Sequence, residues 1–400
     1  MSADVLAYPG GKARGFWRGT ISGLCACLIG IGLARFAYTP LIPALILHHW
    51  FAPSAAVYLG AANLAGYLAG ALAARAMARY AGTVPVLRAM MLTAMAAFFA
   101  CAFPLSFLWY FVWRFASGLA GGALMALAAP CVLAQVPPAR RGLAGGIIFT
   151  GVGLGIAASG TLVPLLLHWG LFWTWTGLGI LSLALTAAAW GGWPAEPPAI
   201  VRPAGQPASL GVKALYAEYG LNAVGLVPHM VFLVDFVARG LGRGLTSGAE
   251  YWVLFGIGAL AGPLLAGHVA DRIGFRLTLR LSFVVQAFAV ALLAVVPTTL
   301  GLAISCLIVG AFVPGIVPVT LGRIHELLPG DAEGQKAAWS FATTAFALGQ
   351  AAAAYGFSFL FAHGAAYGIL FALGAAGLVL ALVLDLAAGL RSRGVLAVEP

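Results

Sequence analysis

Three side chains in this sequence carry a charge, or can gain one, in the middle of long apolar stretches. Arg35 stands in LIGIGLARFAYTPLIPALIL, Arg114 in FVWRFASGLAGG and His229 in AVGLVPHMVFLV. A guanidinium presents a planar fork of donors that grips carboxylate or phosphate bidentately, so Arg35 and Arg114 point to recognition of an anion. The other chemistry open to them is bonding to backbone carbonyls, or an ion pair with a distant acid such as Asp235. An imidazole titrates near neutral pH by default, which makes His229 a candidate for proton coupling or substrate contact, or else a neutral packing histidine. Glu218, Asn222 and His229 are spaced four and seven apart and so share one helix face, with Gly225 on the same stripe. Pro228 predicts a local kink there that frees a carbonyl.

The elements that position these groups follow from composition. Of 400 residues, 62% are hydrophobic and 8% charged, with mean hydropathy +1.00. Soluble domains run nearer half apolar and about 25% charged. That excludes an ordinary soluble enzyme and a disordered chain, and also an outer-membrane barrel, whose strands alternate apolar and polar residues. An all-α membrane protein remains. Read with a ruler of about 20 apolar residues per crossing, the chain predicts 12 transmembrane helices: 17–48, 55–78, 84–104, 107–136, 142–167 and 169–193, then 214–238, 246–270, 277–297, 299–327, 336–362 and 365–389.

Orientation comes from the cations. With the N-terminus inside, all of the 21 Lys and Arg except Arg35, Arg114, Arg239 and Arg243 fall on cytoplasmic segments or helix ends, the positive-inside pattern. N- and C-termini are therefore both expected in the cytoplasm. The net charge of +10 is topological, and a nucleic-acid partner loses its only support. Counting about 1.5 Å per residue brings Arg35, Arg114 and His229 to one layer slightly outside the midplane. A charge at that depth costs roughly 2.5–3.5 kcal/mol on insertion scales and needs a partner or a polar cavity. In the first half only Asp4 and Glu196 are acidic, and both lie outside the spans. Asp235, near the outer end of its span, is a candidate gate contact for Arg35. The 5 cysteines all lie within spans and pair with no metal spacing. They read as packing residues, with copper transport through Cys, His229 and Met230 a minor alternative.

A Pro-rich stretch, with Pro194, Pro197, Pro198, Pro203 and Pro207, divides the chain into a six-helix half at 1–193, a cytoplasmic linker at 194–213 and a six-helix half at 214–400. The halves resemble each other. AGALAARAMARYAG at 69–82 matches AGPLLAGHVADRIG at 261–274; Gly122 aligns with Gly310, and Pro130 with Pro318.

These features resemble the major facilitator superfamily, whose parallel repeat places the substrate between two six-helix halves. Gly267-His-Val-Ala-Asp271-Arg272-Ile-Gly274-Phe-Arg276 is similar to its loop motif, and Arg114-Phe-Ala-Ser-Gly118 to its Arg-x-x-x-Gly motif. The run from Gly32 through Arg35, Tyr38 and Pro40 to Pro43 looks like the YbfB/YjiJ-type branch, a bacterial group. Gly151-Val-Gly153-Leu-Gly155 and Gly349-Gln350 are similar to that branch as well. Two departures stand out. The first-half loop motif has Arg75 and Arg79 where the superfamily has Gly and Asp, and the fifth span lacks the Gly-Pro step of many drug antiporters.

The resemblance implies a multi-pass protein of the bacterial inner membrane, working as a monomer without cofactor or metal. The expected activity is secondary transport of a small organic solute, an anion such as a carboxylate, by alternating access with proton coupling. Candidate substrate contacts are Arg35, Tyr38, Arg114, Asn222, His229 and Gln350; candidate coupling or gating residues are Glu218, His229, Asp235, Asp271 and Arg272. Drug or metabolite efflux is the alternative. An enzyme is not expected, because neither His-Glu-x-x-His nor Gly-x-Ser-x-Gly occurs, and the missing phosphate-binding loop removes ATP as the drive.

Overall fold

The computed structural model describes residues 10–136, 141–194 and 209–396, and every regular element in them is helical. Twelve helices are long and apolar enough to cross a membrane. Spans 1 to 6 are Trp17–Leu47, Pro53–Ala81, Thr83–Cys101, Phe107–Leu133, Ala144–Leu167 and Leu171–Ala189. Spans 7 to 12 are Leu210–Gly240, Gly244–Ile273, Phe275–Val295, Thr299–Leu327, Ala337–Ala362 and Tyr367–Leu390. Most of the expected linker, residues 195–208, lies outside the described residues, as do Asp4, Arg140, Glu196 and Arg202. Span 7 begins earlier than the sequence predicts. The Ser209 Oγ accepts a hydrogen bond from the Val212 N–H, capping a helix whose first residue is Leu210.

Small residues set the packing inside each half. In the first half a Cβ on Gly118 (span 4) would collide with the Asn63 carbonyl of span 2, and in the second a Cβ on Gly310 (span 10) would collide with the Phe255 carbonyl of span 8. Backbone touches backbone at both crossings, which only glycine permits. The loops between spans 2 and 3 and between spans 8 and 9 also match, with Gly82 at φ 84° and Gly274 at φ 83°. These pairs correct the repeat: Gly310 corresponds to Gly118, one helical turn from the Gly122 that the sequence suggests. A slip of four residues keeps the same helix face, so pattern alone cannot distinguish the two alignments.

Spans 1 and 7 are not regular helices. Span 1 runs as α-helix to Cys27, widens into a π-helical stretch at Leu28–Leu33, turns through 34–37 and resumes as Tyr38–Leu47. Span 7 is π-helical at Pro228–Phe232 and again at Phe236–Gly240. Pro40, Pro43 and Pro228 lack the N–H that would continue the α-helical ladder, and such widened turns gather at functional sites.

The two halves meet through span 5 against span 8 and span 2 against span 11. The Trp252 indole N–H donates to the Ser159 Oγ across the first of these seams at 3.0 Å. Spans 1 and 7 touch at one end only, where Tyr38–Leu47 packs on Leu233–Asp235. Their other ends, Gly10–Cys27 and Leu210–Val227, make no comparable contact among the described residues. The bundle is therefore closed at the end bearing Leu47 and Gly240. Leu264, Leu265, Phe288, Leu300 and Leu390 are exposed on the perimeter, where lipid replaces a protein core.

Candidate functional site

Just under the closed end, spans 1, 2, 4 and 7 surround a cavity with about 280 Å³ of empty space, its open side included. Arg35 and Arg114 both line it, with Tyr38, Thr39, Asn63 and Met230. No Asp or Glu is among its lining residues. The space is thin, with full clearance for about one water molecule.

The two guanidiniums are held differently. Arg114 is buried; one of its terminal N–H groups donates to the Ala34 carbonyl at 2.7 Å, and its cationic carbon lies 4.2 Å from the centre of the Tyr38 ring. The broken helix at 34–37 exposes that carbonyl to it. Tyr38 is held in turn by its hydroxyl, which donates to the Ala56 carbonyl at 2.7 Å. Arg114 thus fastens span 4 to the break in span 1. Arg35 has weaker company. It is half-buried, rests 5.2 Å from the centres of both the Phe36 and Tyr67 rings, and reaches the Met230 sulfur at 3.8 Å. A thioether is a weak acceptor, and the Arg35 Nε, like that of Arg114, has no partner.

Met230 is the crossing point. Its carbonyl accepts from the Thr39 hydroxyl at 2.5 Å, and its sulfur is also approached by the Gln350 amide N–H at 3.7 Å. Spans 1, 7 and 11 are joined there, and with them the two halves. Arg35, Tyr38, Arg114 and Gln350 are accordingly brought together around Met230.

The structure places the remaining candidates elsewhere. The Asn222 amide donates to the Gln286 Oε1 of span 9 at 2.9 Å. The Ser305 hydroxyl is 2.6 Å from the Ala289 carbonyl and donates to it, so it accepts the N–H of the His229 Nε2, 2.8 Å away. His229 is fully buried, with Phe371 edge-on at 5.1 Å and Phe255 parallel at 6.4 Å between centres. These are the contacts of a packing histidine bonded through Nε2, with its buried Nδ1 left without a partner. The stripe of Asn222 and His229 faces spans 9, 10 and 12 inside the second half, and the neighbouring face of span 7, carrying Met230 and Val231, lines the cavity. Asp235 is engaged by Arg239, with N–O distances of 2.5 and 2.9 Å, and by the Tyr367 hydroxyl at 2.5 Å, rather than by Arg35.

Glu218 is buried in span 7 within electrostatic reach of Arg323, Arg280, Arg276 and Asp385. Asp385 itself pairs with Arg280. Asp271 and Arg272 are exposed at the end of span 8, just before the Gly274 turn, away from the cavity. Gly118, Gly121 and Gly122 face backbone carbonyls of neighbouring helices, so that run serves packing. Among the described residues, no three His, Cys, Asp or Glu stand together in a metal-holding group.

Two contributors escaped the sequence reading, Thr39 and Asn63, and Met230 figured there only as a possible copper ligand. Asn63 had a visible signal, as the lone amide in the apolar run LGAANLAGYLAG. A search confined to ionisable groups passes over it. Its Nδ2 donates to the Arg114 carbonyl at 3.2 Å and to the Ser117 hydroxyl at 2.8 Å.

Comparison with known proteins agrees with this architecture. The family described as "Uncharacterised MFS-type transporter YbfB" matches residues 27–386. Among solved structures, a D-xylose-proton symporter superposes with a TM-score of 0.68 at 14% identity, covering 92% of this chain and 96% of that one. At that identity the likeness is one of fold. No curated protein sequence matches significantly.

Proposed function

The chain belongs to the family of the MFS-type transporter YbfB, and from that premise we propose that it carries a small organic anion, a carboxylate foremost, across the bacterial inner membrane with proton coupling. The family and the fold are those of secondary transporters of small solutes, not of enzymes. The observation that carries the anion is Arg35: a guanidinium at depth, half-buried in an acid-free cavity, whose polar contact is a sulfur. A cation so placed is costly without a counter-charge, and a carboxylate would supply one. Arg114 adds positive field from behind while holding span 1 in shape.

The cavity is thin, with full clearance for about one water molecule, so a small solute asks less rearrangement of it than an amphipathic drug. The lack of an acid in it also disfavours cationic drugs. Copper transport finds no group of three His, Cys, Asp or Glu among the described residues to support it. With both termini cytoplasmic, the closed end faces outward and the conformation is inward-facing.

For the proton we favour Glu218. It is a titratable carboxylate buried at the cytoplasmic side of span 7, with the acid Asp385 as well as the cations Arg323, Arg280 and Arg276 in reach, whereas His229 is enclosed by aromatic rings and hydrogen-bonded through Nε2. Asp271, Arg272 and the Asp235–Arg239 pair fit gating roles at the two ends.

The test is uptake by proteoliposomes of labelled three- to six-carbon carboxylates under an imposed inside-alkaline gradient. Wild type should accumulate at least one of them, and Arg35→Gln should lower that uptake at least tenfold. Equal uptake of every carboxylate by the variant would overturn the assignment.

A further inference from the structure

The cavity presents an acceptor as well as cations, a second acceptor lies just behind Met230, and the two narrow the ligand. Asn63 is buried, and the orientation of its amide is set by the two oxygens that its Nδ2 meets, the Arg114 carbonyl and the Ser117 hydroxyl. Its Oδ1 is left without a partner. The Gln350 Oε1, on the other side of Met230, is buried and also without one. The hydroxyl groups nearby cannot satisfy them: Tyr38 donates to Ala56, Thr39 to Met230 and Ser117 to Arg114. A buried acceptor left unpaired loses free energy that a donor would restore.

We infer that the substrate is a hydroxy-carboxylate, its carboxylate on Arg35 and its hydroxyl groups donating to Asn63 Oδ1 and Gln350 Oε1. This rests on the anion reading above and deepens it. A plain carboxylate leaves both acceptors unpaired. A second ionised carboxylate, or a fully ionised phosphate, has acceptors only and would set oxygen against oxygen. An ammonium group would donate, but it would stand beside two guanidiniums and be repelled. A neutral hydroxyl meets both demands. Room for it comes from Met230, whose thioether is flexible and whose sulfur now sits between Arg35 and Gln350. Asn63 then acts as a specificity residue, and Met230 yields its place to the ligand.

Three acids of one carbon skeleton test this: propionate with no hydroxyl, lactate with one and glycerate with two. Their sodium salts are titrated into detergent-purified protein by calorimetry. Glycerate should bind at least tenfold more tightly than propionate, about 1.4 kcal/mol, with lactate between. Asn63→Leu should shrink the glycerate-to-propionate ratio to within twofold, and Arg35→Gln should weaken all three. Asn63 also bridges spans 2 and 4; if its variant does not fold, Gln350→Leu should remove part of the same ratio. Equal affinities of wild type for the three acids, lost in Arg35→Gln, would overturn the hydroxyl inference and leave the anion reading standing. A ratio unchanged in a folded Asn63 variant, or in Gln350→Leu where that one replaces it, would overturn it too. No binding of any acid would overturn both.

Discussion

The Thr39 hydroxyl links the halves at the closed end, and removing it should shift the conformational balance by a calculable amount. Thr39→Val keeps the side-chain shape but deletes the donor to the Met230 carbonyl, a 2.5 Å bond between buried groups on spans 1 and 7. When that end opens, the two groups separate and water replaces the bond, so its net value belongs to the closed state alone. A hydrogen bond of this kind is worth about 0.5–1.5 kcal/mol. At about 1.4 kcal/mol per decade, the ratio of open to closed should rise about two- to twelvefold. Spin labels on Leu47→Cys and Thr246→Cys, exposed positions flanking the closed end in opposite halves, report the two populations by electron–electron distance measurement. The native cysteines compete little, because Cys25, Cys27, Cys101 and Cys306 are buried and Cys131 is partly so. A longer-distance population that does not grow in Thr39→Val would refute the view that this bond helps close the bundle.

Further outcomes follow from other contacts. Gly118→Val and Gly310→Val should each cost about 1–3 kcal/mol or more by overpacking, seen as lowered Tm, whereas Gly146→Ala, where a Cβ meets nothing within 4 Å, should be neutral or stabilising. Asp235→Asn should weaken a paired carboxylate that is 3% exposed, lowering stability by about 1–3 kcal/mol. The same variant should leave carboxylate affinity within twofold of wild type in equilibrium binding, because Asp235 is bonded to Arg239 and Tyr367 rather than to Arg35. His229→Phe should leave the pH profile of uptake where it is; a moved profile would return His229 to the coupling pathway.

Much of this protein was legible in its residue order. Hydropathy located all twelve spans to within a few residues, because a bilayer demands about 20 apolar residues per helical crossing and tolerates few exceptions. The same intolerance made Arg35 and Arg114 conspicuous, and both line the cavity. Span 7 was harder to read. Glu218, Asn222 and His229 do share a stripe, yet rotating a helix by about 100° per residue decides which neighbour a stripe meets, and an all-apolar sequence does not encode that rotation. The face one residue further on, with Met230, turned out to line the cavity, while His229 found Ser305 and Asn222 found Gln286.

Sequence by itself determined that the chain is a helical membrane protein of two six-helix halves, and which few charges lie at depth, because solvation in hydrocarbon is a local property of each segment. Tertiary structure alone decided that Arg114 holds a backbone carbonyl while Arg35 is left with a sulfur, that Asp235 is occupied by Arg239, and that Asn63 carries a free acceptor. Partner choice depends on which distant segments are brought within about 3 Å, a distance set by the packing of whole helices and not by any stretch of sequence.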